Sequence, residues 1–193
     1  MTFVTDFADQ AVVLPVALAI ACVLAAAGWW RGLLAWLIGV GGTIAAMALL
    51  KVVFIACGHL VPEVGLRSPS GHTASATVLG AGLAALLERK VGRSGTLVAV
   101  PAAVGAAVLI GFSRLHLHMH SAPEVIAGGL VGLAGGIVLV RLAGPPPPSL
   151  RRASVITTVV LIVVLLHGRH LGAESWIHRA AWYVGPLAVC RSG

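Results

Sequence analysis

The chain has 193 residues, of which 59% are hydrophobic and only 10% are charged, and its mean hydropathy is +1.01. Soluble domains carry about a quarter charged residues, so this composition excludes a soluble globule and indicates one domain embedded in lipid. The net charge of +7 does not indicate a nucleic-acid partner, because the basic residues are scattered between apolar runs and form no face with interleaved aromatic residues.

Six apolar stretches approach the length of about 20 residues that a helix needs to cross a bilayer. In chain order they are residues 11–28, 32–57, 72–87, 95–114, 123–142 and 153–168. Aromatic, charged or proline-rich breaks separate them. The sequence therefore predicts an all-α polytopic membrane protein, a six-transmembrane-helix bundle that forms a single domain over residues 1–193 with its core at about 9–168.

The C-terminal segment, about residues 170–193, is predicted to lie in the membrane interface. Within it, residues 174–183 combine tryptophan, tyrosine and isoleucine with histidine and arginine. This composition is typical of an amphipathic helix that lies on a membrane. An irregular tail is the alternative.

The six spans predict which connections share a side of the membrane. The connections at residues 58–71 and 116–121 face one side, together with the acidic N-terminus. The other side carries most of the basic residues: Arg31, Arg89, Lys90, Arg93, Arg141, Arg151 and Arg152. The positive-inside rule makes that side cytoplasmic. We therefore expect the two connections to face the periplasm or exterior of a bacterial-type inner membrane.

Glycines recur at intervals of four in the fifth span, at Gly128, Gly132 and Gly136. Small residues at this spacing allow helix backbones to approach closely. Packing inside one protomer is the favoured interpretation, and a homodimer through this glycine face is the alternative.

The sequence Pro69-Ser70-Gly71-His72 begins the third span. A helix start offers unpaired N–H groups and a partial positive charge, which together favour an anion. Ser70 is a good N-cap residue, and Gly71 allows a ligand to approach the backbone. His72 then lies in the first turn, near such an anion. The alternative is that Ser70 only caps the helix.

A second polar cluster lies at the end of span four and the start of span five. Arg114 ends span four, at a depth where an arginine is costly. His120 and Glu124 are four residues apart, so one helical turn brings them together, and a carboxylate beside an imidazole fixes its tautomer and increases its basicity. Alternatively, Glu124 completes a capping box with Ser121. Both roles coexist only if the Glu124 side chain reaches His120.

Three further candidates are less specific. His116 has the spacing of a helical metal pair with His120, but no cysteine or second acidic residue completes a site, so neither a metal nor a cofactor is expected. Lys51 points to the same side and could simply extend to the interface. Arg67 lies five residues before His72, close enough in sequence to assist in phosphate binding.

Together, Lys51, Pro69-Ser70-Gly71-His72 and Ser113-Arg114-x5-His120-x3-Glu124 resemble the type 2 phosphatidic acid phosphatase superfamily over about residues 9–142. The resemblance implies a metal-independent phosphatase in which His120 forms a phosphohistidine, Glu124 orients it and His72 is the general acid. It also implies which groups hold the phosphoryl oxygens: Lys51, Arg114, Ser70 and the backbone of Gly71.

Two positions depart from the family pattern. The family usually has aspartate where this chain has Glu124. Its first block runs Lys-x6-Arg-Pro, whereas the stretch that starts at Lys51 here ends in Gly58-His59, without the arginine and proline. Arg67 or Arg169 is the hypothetical replacement for the absent arginine.

The resulting hypothesis is a membrane phosphatase that hydrolyses a phosphomonoester or diphosphate of a lipid or polyprenyl substrate. Two alternatives are a lipid phosphotransferase and a catalytically weak protein that binds or transports a phospholipid. The phosphatase hypothesis requires the imidazoles of His72 and His120, distant in sequence, to lie within reach of one bound anion.

Overall fold

The computed structural model describes residues 1–57, 68–88 and 93–184, and within these ranges the secondary structure is helical, with no β-strand. The helices are α1 (Thr2–Asp6), α2 (Gln10–Ala26), α3 (Trp30–Trp36), a π-helical turn (Leu37–Gly41), α4 (Gly42–Cys57), α5 (Gly71–Leu87), α6 (Arg93–His116), α7 (Ala122–Ala143), α8 (Arg152–Leu166) and α9 (Ala173–Val184). The all-α prediction is confirmed for this part of the chain.

Among the described residues, four helical stretches are long and apolar enough to cross a membrane: Thr2–Ala26, Trp30–Ala56, Gly95–His116 and Ala122–Ala143. Helices α5 and α8 are also apolar but have 17 and 15 residues. At 1.5 Å per residue, α8 is about 22 Å long, which is less than the bilayer core of about 30 Å. The predicted count of six spans is therefore not confirmed by helix length.

Aliphatic side chains around Trp36 fill the interior. The Trp36 indole is 1% exposed, and its Nε1 donates a hydrogen bond to the carbonyl oxygen of Ala17 at 2.9 Å. Val78 on α5 and Leu139 on α7 are buried in the same cluster. A buried indole N–H needs such a partner, so this bond fixes α3 against α2 while the ring packs on α5 and α7.

Helices α5 and α7 approach each other through the glycines of α7. A Cβ at Gly128 would meet the carbonyl oxygen of Ser70, and one at Gly136 would lie 2.6 Å from the Cβ of Ala81. Both glycines are buried. The glycine face of α7 thus packs against α5 within the same chain, which is the favoured interpretation of the glycine spacing.

Two hydrogen bonds join the connections at the end of the bundle where α7 terminates. The Arg31 Nε donates to the carbonyl oxygen of Leu142 at 2.8 Å, and the Ser149 hydroxyl donates to the carbonyl oxygen of Ala27 at 2.8 Å. The start of α5 and the start of α7 lie at the other end, which is where both polar clusters meet.

Replacement of Gly132 by alanine tests the close contact of α5 with α7. A Cβ there would meet the carbonyl oxygen of Ala74 and would lie 2.7 Å from the Cβ of Thr77. We expect Gly132→Ala to lower the unfolding free energy by roughly 1–3 kcal/mol. Thermal unfolding in detergent measures this. Gly105→Ala is the matched control, since nothing lies within 4 Å of its Cβ position; equal melting temperatures for the two variants would contradict the prediction.

Candidate active site

The Glu124 carboxylate connects the loop before α5 to the start of α7. Its Oε1 accepts a hydrogen bond from the Ser68 backbone N–H at 2.8 Å, and its Oε2 accepts one from the Ser121 N–H at 3.0 Å. The Glu124 carbonyl oxygen also accepts from the Ser70 N–H at 3.0 Å. The two polar clusters are therefore held together by one residue.

The same carboxylate reaches His120. Its Oε2 lies 3.0 Å from the His120 Nδ1, while the capping box with Ser121 is complete. The two roles considered for Glu124 therefore coexist. Because an ionised carboxylate only accepts hydrogen bonds, Nδ1 carries the hydrogen and the lone pair of His120 is on Nε2.

Ser70 caps α5 as the sequence predicts. Its hydroxyl oxygen accepts from the Thr73 N–H at 3.4 Å and lies 2.9 Å from the Thr73 Oγ1. Lys51 from α4 lies beside Gly71, the first residue of α5. A Cβ placed on Gly71 would be 3.4 Å from the Lys51 Cε and 3.9 Å from the Lys51 Nζ. Lys51 is only 4% exposed. A buried ammonium group therefore lies beside the N-terminus of α5, where anions are favoured.

The end of α6 turns the chain so that His120 returns to α7. The Met119 N–H donates to the Arg114 carbonyl oxygen at 3.1 Å, and the His118 N–H donates to the Leu115 carbonyl oxygen at 3.0 Å. This pair of bonds is a Schellman motif, with His118 in the left-handed region at φ 54°. Arg114 is 8% exposed, and its Nη1 donates to the Thr5 hydroxyl at 3.4 Å.

Both imidazoles lie in the field of the same two cations. The charges of Arg114 and Lys51 act on His72 and on His120, and His120 also acts on His72. Burial lowers the pKa of His120, and Arg114 and Lys51 lower it further, while the hydrogen bond and charge of Glu124 oppose this. His120 is therefore neutral at neutral pH, the form that has a nucleophilic nitrogen.

Asp9 is a site residue that the sequence analysis missed, since it counted only as part of the acidic N-terminus. Its Oδ2 lies 3.7 Å from the His72 Nε2. The sequence signal is an aspartate immediately before an apolar helix, which indicates an N-cap, and the Asp9 Oδ1 does accept from the Ala11 N–H at 2.8 Å. Its contact with His72 carries no sequence signal.

Other candidates are placed away from these groups or outside the described residues. Arg67 falls outside the described residues. Arg169 is exposed in the connection between α8 and α9. Ser113 is buried and donates to the Ile110 carbonyl oxygen at 2.7 Å, a bond within its own helix. His116 is exposed, and the described part of the chain contains no group of three or more residues able to hold a metal ion.

Comparison with known proteins identifies the family. The PAP2 superfamily matches residues 53–145, the part of the chain that contains both polar clusters. A protein of Klebsiella pneumoniae described as an uncharacterized 22.5 kDa protein in the cps region is 33% identical, and the match covers 95% of this chain and 91% of that protein. The chain belongs to the PAP2 superfamily. No solved structure matches it.

Membership of the PAP2 superfamily supports a phosphatase-type function, and the apolar helices indicate membrane association. The matched residues begin after Lys51 and do not include Asp9. Lys51 was expected from the sequence pattern, whereas Asp9 enters the candidate site through the structure alone.

Replacement of Glu124 by glutamine tests the carboxylate that joins the two clusters. A glutamine side chain has one acceptor oxygen, so it cannot accept from Ser68, Ser121 and His120 together. We expect Glu124→Gln to lower the unfolding free energy by about 1–3 kcal/mol and phosphatase activity roughly 10²- to 10⁴-fold. Glu124→Asp keeps the charge and should lie between Glu124→Gln and the parent protein. Parent-like melting temperature and turnover in Glu124→Gln would refute this.

Proposed function

We propose that this chain is an integral-membrane lipid phosphatase that hydrolyses a phosphomonoester or diphosphate of a lipid or polyprenyl substrate through a phosphohistidine intermediate. The observation that carries the proposal is that Glu124 joins His120 to the start of α5, where Lys51 lies beside Gly71. Phosphoryl transfer depends on positioning and on neutralisation of charge. Two cations and two imidazoles at one end of the bundle supply both.

In the first step, the Nε2 of His120 attacks phosphorus and the bond from phosphorus to the leaving oxygen breaks. Protonated His72 transfers its proton to that oxygen, while the Nδ1–H of His120 stays hydrogen-bonded to the Glu124 carboxylate. Lys51, Arg114 and the N–H groups at the start of α5 stabilise the negative charge on the phosphoryl oxygens. These fixed cations do the work that a metal ion does in other phosphatases, so the proposed reaction is metal-independent.

In the second step, water attacks the phosphohistidine. The neutral His72 accepts a proton from that water, the bond between phosphorus and Nε2 breaks, and inorganic phosphate leaves. His120 is neutral again and His72 is protonated, so the cycle closes with no external co-reactant other than water.

An apolar cavity beside Lys51 and His72 supports a lipid substrate. Its volume is about 300 Å³. One end carries Asp9, Lys51 and His72, and the walls are mostly apolar: Leu14, Ile44, Met47, Ala48, Trp176 and Ile177. A molecule with a phosphate at one end and a hydrocarbon at the other matches this division.

We further propose that all six predicted spans cross an inner membrane, with the candidate site at its periplasmic or external face. The start of α5 lies near Lys51 and Glu124, at the same end of the bundle as the start of α7. From there α5 runs beside α7, so its 17 residues cover much of the length of the longer helix. Arg31 and the end of α7 lie at the opposite end of the bundle. Basic residues at that end favour its cytoplasmic location.

A phosphate-release assay with the purified protein across dodecyl phosphate, phosphatidate and polyprenyl mono- and diphosphates tests the function. We expect release from at least one lipid and loss of at least about 10³-fold in His120→Ala. When the reaction is stopped in alkaline detergent, in which a phosphohistidine is stable, the parent protein should carry bound phosphate and His120→Ala should not. Transfer to a lipid acceptor without phosphate release would favour the phosphotransferase alternative, and lipid binding without turnover would favour the binding alternative.

Filling the cavity tests whether it holds the hydrocarbon. Ala48→Leu adds volume to its wall. We expect the KM for a long-chain lipid phosphate to rise about tenfold, the effect of about 1.4 kcal/mol of lost binding, while turnover of a water-soluble phosphate ester is unchanged. Ala46→Leu is the matched control, because Ala46 is exposed on the same helix and does not line the cavity. An equal KM in both variants would contradict this location for the chain.

A further inference from the structure

We propose that Asp9 is a positioning residue for the general acid, which holds His72 in its protonated form beside the substrate. The proposal rests on the hydrolysis proposed above. It adds a carboxylate from the N-terminal segment to the two polar clusters, which both lie in the second and third quarters of the chain.

One oxygen of the Asp9 carboxylate is fixed by backbone hydrogen bonds, and the other faces two imidazoles. Its Oδ1 accepts from two backbone N–H groups, those of Ala11 at 2.8 Å and Leu171 at 3.0 Å. Its Oδ2 faces two imidazoles, with His72 Nε2 at 3.7 Å and His170 Nδ1 at 3.4 Å. Asp9 is 7% exposed. The anchored oxygen determines the direction of the other.

The two imidazoles differ in their surroundings. The side chain of His170 is 66% exposed, whereas that of His72 is 19% exposed and lines the cavity with Asp9. Charge interactions are weak in water and stronger where solvent is excluded. Solvent therefore screens the contact of Asp9 with His170, although it is shorter, more than the contact with His72.

A negative charge is needed here because of the cations that bind phosphate. Charged groups face His72 from several elements: Lys51 from α4, Arg114 from the end of α6, His120 from the connection before α7, and Asp9 from the start of α2. Lys51 and Arg114 repel an imidazolium. Burial also disfavours the imidazolium, and Asp9 opposes these effects. A bound phosphate adds a second negative charge, so the protonated acid is favoured when the anion is in the site.

The separation of 3.7 Å leaves the proton available. It is longer than a direct hydrogen bond, so the attraction acts through space. His72 can therefore transfer its proton to the leaving oxygen as the phosphorus–oxygen bond breaks, and Asp9 stays ionised throughout. The step needs no additional reactant.

Asp9→Asn separates this role from simple capping. Asparagine keeps an oxygen for Ala11 and Leu171 and is a good N-cap residue, but it has no charge. Asp6→Asn is the matched control, because it removes an equal charge from the same segment. Asp6 contacts His170, with its Oδ1 3.9 Å from the His170 Nε2. Both variants are assayed as full-length protein in detergent, with dodecyl phosphate and with 4-nitrophenyl phosphate, whose leaving group needs little protonation.

For Asp9→Asn we expect turnover of dodecyl phosphate to fall roughly tenfold to a hundredfold, a part of the contribution of a general acid. Turnover of 4-nitrophenyl phosphate should fall by less than about threefold, because its leaving group needs little proton transfer from His72. The basic limb of the pH–rate profile should move to lower pH, because the imidazolium has lost its carboxylate. Asp6→Asn should match the parent protein on both substrates.

Equal losses on the two substrates with an unmoved basic limb would overturn the proposal and leave Asp9 as a cap. Activity of Asp9→Asn equal to that of Asp6→Asn, in a protein that does hydrolyse lipid phosphates, would also overturn it while the proposed function stands. A parent protein that releases phosphate from no lipid would overturn both.

Discussion

The Glu124 carboxylate is the interaction on which the candidate site depends. It accepts hydrogen bonds from Ser68 before α5 and from Ser121 before α7, and it contacts the imidazole of His120. Helix ends leave N–H groups unsatisfied, and here one side chain satisfies such groups at two helix starts. The glutamate is long enough to cap its own helix and reach across to another. The departure from the usual aspartate therefore has a structural use in this chain.

Electrostatics explains why the remaining polar groups are arranged as they are. Lys51 and Arg114 are both buried near the N-terminus of α5, and buried cations in a membrane protein are costly without a compensating charge. Under the proposed function, a bound phosphate adds negative charge beside them. Asp9 and Glu124 each lie next to an imidazole of the candidate site, so negative charge is also fixed beside both histidines.

Local sequence patterns predicted the parts of the site that lie within one helical turn. The spacing of His120 and Glu124 and the serine before Gly71 each determine a geometry that depends on few neighbouring residues. The parity of the spans then predicted that both clusters meet at one end. Two features could not be predicted. Asp9 joins residues from opposite ends of the chain, and such a contact depends on how α2 and α9 pack.

The number of spans is the other feature that the pattern did not determine. Residues 153–166 are mostly apolar and α8 covers all of them, from Arg152 to Leu166, but the helix stops there and Gly168 adopts φ 79°, so α8 has only 15 residues. Hydropathy measures what lipid tolerates, whereas helix length depends on where the backbone turns.

The contact of Gly128 with the Ser70 carbonyl has a consequence for how a hydrophobic molecule exchanges with the bilayer. Because the two backbones touch there, α5 and α7 cannot separate without displacing Ser70 at the start of α5. The side of the candidate site formed by these two helices is therefore rigid. The opposite wall is formed by α4 and the short α9, with Trp176 largely exposed at its rim. Under the proposed function, a lipid would therefore exchange with the bilayer past α9, because backbone contact holds α5 and α7 together.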